Sequence, residues 1–322
     1  MSRLVLAPLA GLADDILRGL LTRAGGYDWC VTEFIRVSGT LLPKRSFTRI
    51  SPELLAGART AAGTPVRVQL MGSDPACLAE NAARLAELRP AGIDLNFGCP
   101  APLVNRHRGG AALLDEPELL QRIAAAVRAA VPRALPVSAK MRLGIDDPAR
   151  ALDCARALAD GGIDELTVHA RTRADGYRPP ARWEWLARIR EAVALPLIAN
   201  GEVWDVAGWR ALRAASGCAD VMLGRGAVAD PFLAARIRGR RPARAGAGDW
   251  AELQPLLAEF WQQVRQKVAS RHAPGRLKLW LGYLRRGHAG AEGLWREIRA
   301  LDDIGAISAA LDRSRRAVAR AA

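Results

Sequence analysis

Eight short apolar runs, spaced by longer amphipathic stretches, constrain this chain more than anything else in it. They are residues 3–9 (RLVLAPL), 27–33 (YDWCVTE), 66–72 (VRVQLMG), 92–98 (GIDLNFG), 135–143 (LPVSAKMRL), 165–170 (ELTVHA), 195–201 (LPLIANG) and 220–226 (DVMLGRG). Each is nearly continuous in apolar character instead of alternating, as strands buried on both faces are. Between them, segments such as 75–89, 117–131 and 148–162 carry helical periodicity and are punctuated by Gly or Pro. Eight strand–helix units in about 225 residues predict an α/β fold, a (β/α)8 TIM barrel. A doubly wound open sheet competes, but the first turn reads APLAG and not GxGxxG.

After residue 235 the strand pattern stops. Residues 236–248 (RIRGRRPARAGAG) read as a basic linker, and 249–271, 276–286, 291–303 and 306–321 as helices only. Asp249 with Glu252 resembles a capping box, and Pro255 is expected to restart or kink that helix. The chain is therefore expected to divide into a barrel over 1–240 and a small C-terminal helical bundle over 241–322.

Charge bears on the partner. The 322 residues carry 47 Lys+Arg against 33 Asp+Glu, a formal net charge of +14, which points to a polyanion. Only Lys44, Lys140, Lys267 and Lys278 are lysines, an Arg excess that biased genome composition also produces. The location is more telling. Residues 236–322 hold 18 basic and 8 acidic side chains, and Phe260–Ala291 contains no acid but seven cations, interleaved with Trp261, Trp280 and Tyr283. A basic stripe with aromatics suits RNA, although each tryptophan taken singly reads better as core. No apolar run reaches the ~18 residues of a membrane span, and no signal-like cleavage site follows LVLAPLAGLA. The five cysteines form no CxxC pair, so no disulfide framework or metal site is expected and a reducing cytoplasm is the default.

A (β/α)8 barrel carries its chemistry at the C-terminal strand ends. In order these are Pro8-Leu9-Ala10, Glu33, Gln69, Asn96, Lys140, His169, Asn200 and Gly224-Arg225, mostly polar and expected to converge on one mouth. ANGEV and LGRGAV, ending the seventh and eighth runs, have the glycines of a phosphate cradle. Lys140 is a rare lysine in an Arg-rich chain, and its slim ammonium suits the negative charge a flavin develops at N1–O2 on reduction. Cys99 sits between Gly98 and Pro100 in a loop at the mouth, placed to serve as nucleophile or as proton donor.

The motifs APLAG, VQLMG, DLNFGCP with VNRHRGGAALL, SAKMRLG, VHARTRADGY, IANGEV and MLGRGA resemble, in order, those of the tRNA-dihydrouridine synthases. VTEFIRV, DGYR and RLKLWLGYLR are most similar to the C subfamily, which acts on uridine 16 of the tRNA D-loop. The resemblance implies an FMN-bearing barrel that takes hydride from NADPH, passes it to C6 of a uracil, and protonates C5 from a cysteine, here Cys99. It implies flavin contacts from Pro8, Leu9, Ala10, Gln69, Lys140 and His169, with Asn200, Gly201, Glu202, Gly224 and Arg225 around the ribityl phosphate. Asn96 and Arg142 would touch the uridine, while Arg36, Arg276, Lys278 and Arg299, with Tyr283 alongside, would orient the tRNA. A monomeric cytoplasmic enzyme with no metal is expected. Two departures are local: APL stands for the family's APM, a near-isosteric change, and Ala170 for its Gly. The alternative is another FMN barrel acting on a small molecule, of dihydroorotate or enoate type, which shares the flavin residues but leaves the acid-free basic segment unexplained.

Overall fold

Strands that are apolar on both faces must be covered by helices outside and filled by their own side chains inside, and eight of them can close on themselves. The computed structural model, which describes residues 2–106 and 108–321, shows that closure: eight parallel strands in chain order. They are β1 (Leu4–Leu6), β2 (Trp29–Arg36), β3 (Val66–Met71), β4 (Ile93–Phe97), β5 (Val137–Arg142), β6 (Glu165–His169), β7 (Leu197–Asn200) and β8 (Asp220–Leu223). The ring shuts where Leu4, Val5 and Leu6 lie opposite Val221, Met222 and Leu223. β2 continues past the expected end at Glu33, because its register against β3 shifts between Val31 and Phe34.

The outer helices are α1 (Asp15–Gly25), α2 (Lys44–Ile50), α3 (Pro75–Ala86), α4 (Pro102–Arg106), α5 (Pro117–Ala130), α6 (Ala151–Asp160), α7 (Glu184–Ala192) and α8 (Val206–Ser216). Aspartates start three of them. Asp14 accepts from Leu17 N at 3.0 Å, Asp74 from Cys77 N at 2.7 Å and Asp205 from Gly208 N at 2.7 Å. Two short helices, α9 (Arg225–Ala229) and α10 (Leu233–Ile237), lead away from β8.

The C-terminal segment is all helix: α11 (Ala247–Lys267), α12 (Ala273–Leu284), α13 (Ala289–Ile298) and α14 (Ile304–Ala321). α11 runs through Pro255 without a break, and the expected restart does not occur. Its N-cap is Gly246, whose N–H donates to the Asp249 carboxylate at 2.8 Å, so Asp249 stands one turn inside the helix and not at its cap. Nor is 236–248 a loose linker. The buried Arg236 binds Asp230 at 2.6 Å and Asp249 at 2.5 Å, and donates to the carbonyls of Pro242 and Arg244. A guanidinium out of water needs such partners, and here they pin α11 to the end of the barrel.

Trp280 of α12 is fully buried, packs edge-on to Phe260 at 4.8 Å and donates its indole N–H to Val228 O of α9. One hydrophobic core runs without interruption from the barrel's helical jacket into α11–α14. No helix among the described residues is long and apolar enough to cross a membrane.

Candidate active site

Side chains at the C-terminal strand ends point into the barrel or across its mouth, so the strand register decides which of them meet. Asn96 lies opposite Lys140 on the neighbouring strand, Arg142 opposite His169, and His169 opposite Asn200. They line a cavity of about 600 Å3 at the mouth. All eleven residues expected to hold a flavin border it: Pro8, Leu9, Ala10, Gln69, Lys140, His169, Asn200, Gly201, Glu202, Gly224 and Arg225. Cys99, Asn96, Arg142 and Tyr283 border it too. Arg36, at the end of β2, and Arg299, just past α13, are exposed and lie outside that lining.

A chain of side-chain hydrogen bonds rises from the barrel interior to Cys99. The buried Asp94 accepts from Ser138 Oγ at 2.6 Å and from Gln69 Nε2 at 2.7 Å. Gln69 Oε1 then accepts from Asn96 Nδ2 at 2.7 Å, which leaves Asn96 Oδ1 to receive the backbone N–H groups of Gly98 and Cys99 at 3.0 and 2.9 Å. Each amide is thus fixed in one orientation, and the Cys99 loop is held from below. The Cys99 carbonyl accepts from Asn105 Nδ2 and Ala111 N, which fixes it from the other side. Gly110, at φ +62°, closes this turn where an added Cβ would lie 2.9 Å from Cys99 Cβ. Asp94 escaped the sequence reading, yet the signal was present: Asp94 and Asn96 are two apart on one strand and share its inner face.

The electrostatics of the cavity are cationic. Burial, with Arg142 nearby, brings the Lys140 ammonium down to about 8. Burial pushes the Cys99 thiol up, against the lowering effect of the Ala101 N–H and of the Arg142 and Lys140 charges. That thiol is therefore protonated at neutral pH. Burial and the cations Arg142, Lys140, Arg171 and Arg225 hold His169 well below its ordinary range, so it is neutral. Its Nε2 faces the Arg171 guanidinium, always a donor, at 3.3 Å; Nε2 is the acceptor and Nδ1 carries the proton.

Arg142 is more committed than its place in the sequence suggested. It donates to the carbonyls of Gly98, Thr172 and Gly176 at 2.8–2.9 Å, tying the Cys99 loop to the loop after β6. Glu202, at φ +63°, turns its carboxylate to Arg171 and to Ala181 N. The loops after β7 and β8 touch so closely that a Cβ on Gly226 would sit 2.0 Å from Val203 O. Gly201, at φ +128°, passes tightly over His169. Tyr177, Trp204, Phe34 and Leu279 also line the cavity and were not singled out beforehand. Nothing in their own motifs sets them apart from core residues.

The basic segment behaves differently from its expected character as an open RNA-facing stripe. Of its seven cations, Lys267 pairs with Asp15, Arg276 with Asp14, Lys278 with Asp302 and Arg285 with Glu292. The acids are missing from the segment but supplied by the start of α1, by α13 and by the loop before α14. Arg276 also donates to the Gly11 and Leu12 carbonyls at 2.8 and 3.2 Å, gripping the loop after β1.

Comparison with known proteins agrees with this geometry. Residues 5–291 match the sequence family described as dihydrouridine synthase. A tRNA-dihydrouridine(16) synthase of Cupriavidus necator is 58% identical over 303 residues, spanning 94% of each chain. A protein of the same description from Pseudomonas putida is 56% identical over 307 residues, 95% of each chain. Among solved structures, a 2-naphthoyl-CoA reductase complex superposes with a TM-score of 0.55 at 13% identity, over 73% of this chain and 50% of that one, a likeness of fold alone. With the family match covering most of its length and close relatives covering nearly all of it, this chain belongs to the dihydrouridine synthase family.

Proposed function

We propose that this protein reduces a uridine of the tRNA D-loop, position 16, to 5,6-dihydrouridine, with FMN bound in the barrel mouth and NADPH as reductant. One observation carries the reading: Cys99, its backbone N–H held by Asn96 Oδ1 at 2.9 Å, stands at the edge of a cavity that also presents Lys140 and His169. The position and the substrate come from the relatives, whose printed function is tRNA-dihydrouridine(16) synthase.

The lining fits a flavin. The Lys140 ammonium makes no ion pair among the described residues, His169 has a spare ring N–H, and Gly201, at φ +128°, lets the backbone pass where a Cβ would press on the His169 ring. Bound there, FMN would supply the hydride chemistry, with NADPH as its reductant. Lys140 would offer positive charge to the N1–O2 side of the flavin, and His169 an Nδ1–H donor. Gly201, Gly224 and Arg225, with Asn200 and Glu202 shaping their loops, surround the phosphate. Pro8, Leu9, Ala10 and Gln69 wall the ring. Asn96 and Arg142 border the uracil, and Cys99 Sγ gives its proton to C5 as the new C6–H bond forms, which completes addition across C5=C6.

A uracil stacked within tRNA has to leave its stack to reach this cavity, at a cost of a few kcal/mol. Contacts to the rest of the tRNA offset that cost. We assign residues 241–322 to this docking and 1–240 to catalysis, with Arg36, Lys278 and Arg299 meeting the RNA and Arg276 and Tyr283 placing α12 against the mouth. The test is to map dihydrouridine in tRNA from cells lacking the protein. Loss confined to position 16 supports the reading; unchanged tRNA together with flavin-bound protein that reduces a free enoate or dihydroorotate would overturn it.

A further inference from the structure

A row of cations stands at the rim of the cavity, partly outside the residues assigned to flavin and uracil. Arg286, just past the end of α12, places its guanidinium carbon 4.2 Å from the ring centroid of Trp204, in the loop after β7. Arg225 lies 5.2 Å from the same ring and 4.6 Å from that of Tyr177. Arg142 is 5.2 Å from Tyr177 on the inner side. Cations and rings therefore alternate along the rim: Arg286, Trp204, Arg225, Tyr177, Arg142. Cations gathered this closely repel one another, and an anion at the rim relieves the repulsion.

The members of the row differ in what occupies their N–H groups. Arg142 is spent on three carbonyls, and Arg225 donates to Tyr177 O at 3.4 Å. Arg286 is exposed, and among the described residues its only close partner is the indole face. A guanidinium placed over an aromatic face spends no N–H on another side chain and so keeps its donors for two phosphate oxygens.

The helix that carries it gives the fork a direction. Arg276, Leu279 and Tyr283 share one face of α12 by their spacing, and Arg286 follows at the same spacing just past its end. Arg276 grips the loop after β1, Leu279 and Tyr283 line the cavity, and Arg286 reaches the loop after β7. α12 thus crosses one side of the mouth, with Arg286 at its far end. Arg286 does not itself line the cavity; it stands beside the lining residue Trp204, on the solvent side.

We propose that Arg286, placed over the Trp204 ring, binds a phosphodiester group of the RNA strand next to the nucleotide whose base enters the cavity. This rests on the tRNA reading above. The experiment uses full-length, flavin-loaded protein and an unmodified tRNA transcript, with Kd measured across a KCl series for wild type, Arg286→Ala, Arg286→Lys and Trp204→Leu. Arg286→Ala is expected to weaken binding about tenfold and to flatten the log Kd against log salt slope by about 0.7 to 0.9, one phosphate contact. Arg286→Lys keeps the slope and loses part of the affinity, because charge remains while the fork does not. Trp204→Leu falls between the two. An unchanged Kd and slope in Arg286→Ala overturns the proposal, as does a raised KM for NADPH with unchanged tRNA affinity, which would assign the anion to the reductant. A fall in flavin content and melting temperature that accompanies the lost affinity also overturns it, since Arg286 would then be holding the fold. Failure of the wild-type protein to bind the transcript would instead sink the tRNA reading beneath it.

Discussion

The two ends of the barrel set the same kinds of side chain to different tasks. At the N-terminal end, Arg3 and Arg67 both pair with Glu165, Arg3 pairs with Asp220 as well, and the two guanidinium groups lie 5.1 and 4.3 Å from the Trp29 ring centroid. Both of these cations meet a carboxylate. At the C-terminal end, Lys140 and Arg225 face a cavity and have no carboxylate partner among the described residues. An unpaired, partly desolvated cation costs stability, and that cost is what an anionic ligand recovers on binding. Charge compensated within the fold makes a floor; charge left over makes a site.

Four substitutions test that contrast. The largest effect is expected at the mouth, where Cys99→Ala should keep flavin and tRNA affinity but lower dihydrouridine formation by roughly 10²–10⁴-fold, the range for removing a general acid. Single-turnover assays with pre-reduced protein check it, and near-normal turnover would remove Cys99 from the reaction. At the floor, Arg67→Met should destabilise the protein by about 3 kcal/mol or more by leaving Glu165 short of a partner, while the folded fraction keeps its flavin spectrum. Chemical denaturation followed by flavin absorbance separates those two outcomes.

Lys140→Met should act in the opposite sense on stability. With burial bringing this ammonium down to about 8, the folded chain holds a charge it would sooner lose, whereas the unfolded chain keeps its proton up to about 10.5. Stability of the flavin-free protein therefore rises as pH increases from about 8 to 10.5, and the Met variant should lack that rise. At pH 7 its flavin-free melting temperature should lie about 2–4 °C higher, while flavin reduction slows. Thermal melts over that pH range decide the matter; identical profiles would mean the lysine is not desolvated. The smallest effect belongs to Lys278, whose partner Asp302 is almost fully exposed. Lys278→Ala should shift stability by less than about 0.5 kcal/mol and weaken tRNA binding only a few-fold, as filter binding will show.

The helical segment teaches a related lesson about reading charge. Phe260–Ala291 has no acid in its sequence, yet four of its seven cations find one through folding. A local count of charge sees only chain neighbours, whereas Asp14 and Asp15 lie some 250 positions away. The same blindness applied to Arg142, taken as a uridine contact and found to clamp three carbonyls as well. Arg286 counted in the sequence as one cation of seven, and Trp204 looked ordinary; only folding sets the two side by side.

What the sequence alone determined is the set of features encoded at short range. The eight doubly buried strands, the polar residues ending most of them, Cys99 between Gly98 and Pro100, and the change to helices after residue 235 all follow from local pattern, because strand burial and turn chemistry repeat every few residues. Its ordered motifs also carried the family. Tertiary structure decided how charges and amides are shared out: that Asp94 stands beneath Gln69 and Asn96, that Arg236 fastens the expected linker, and that Arg276 serves the loop after β1. Hydrogen bonds and ion pairs act over a few ångströms in space, at any separation along the chain, so only the closed barrel with its helices docked determines which polar groups are satisfied and which remain for a ligand.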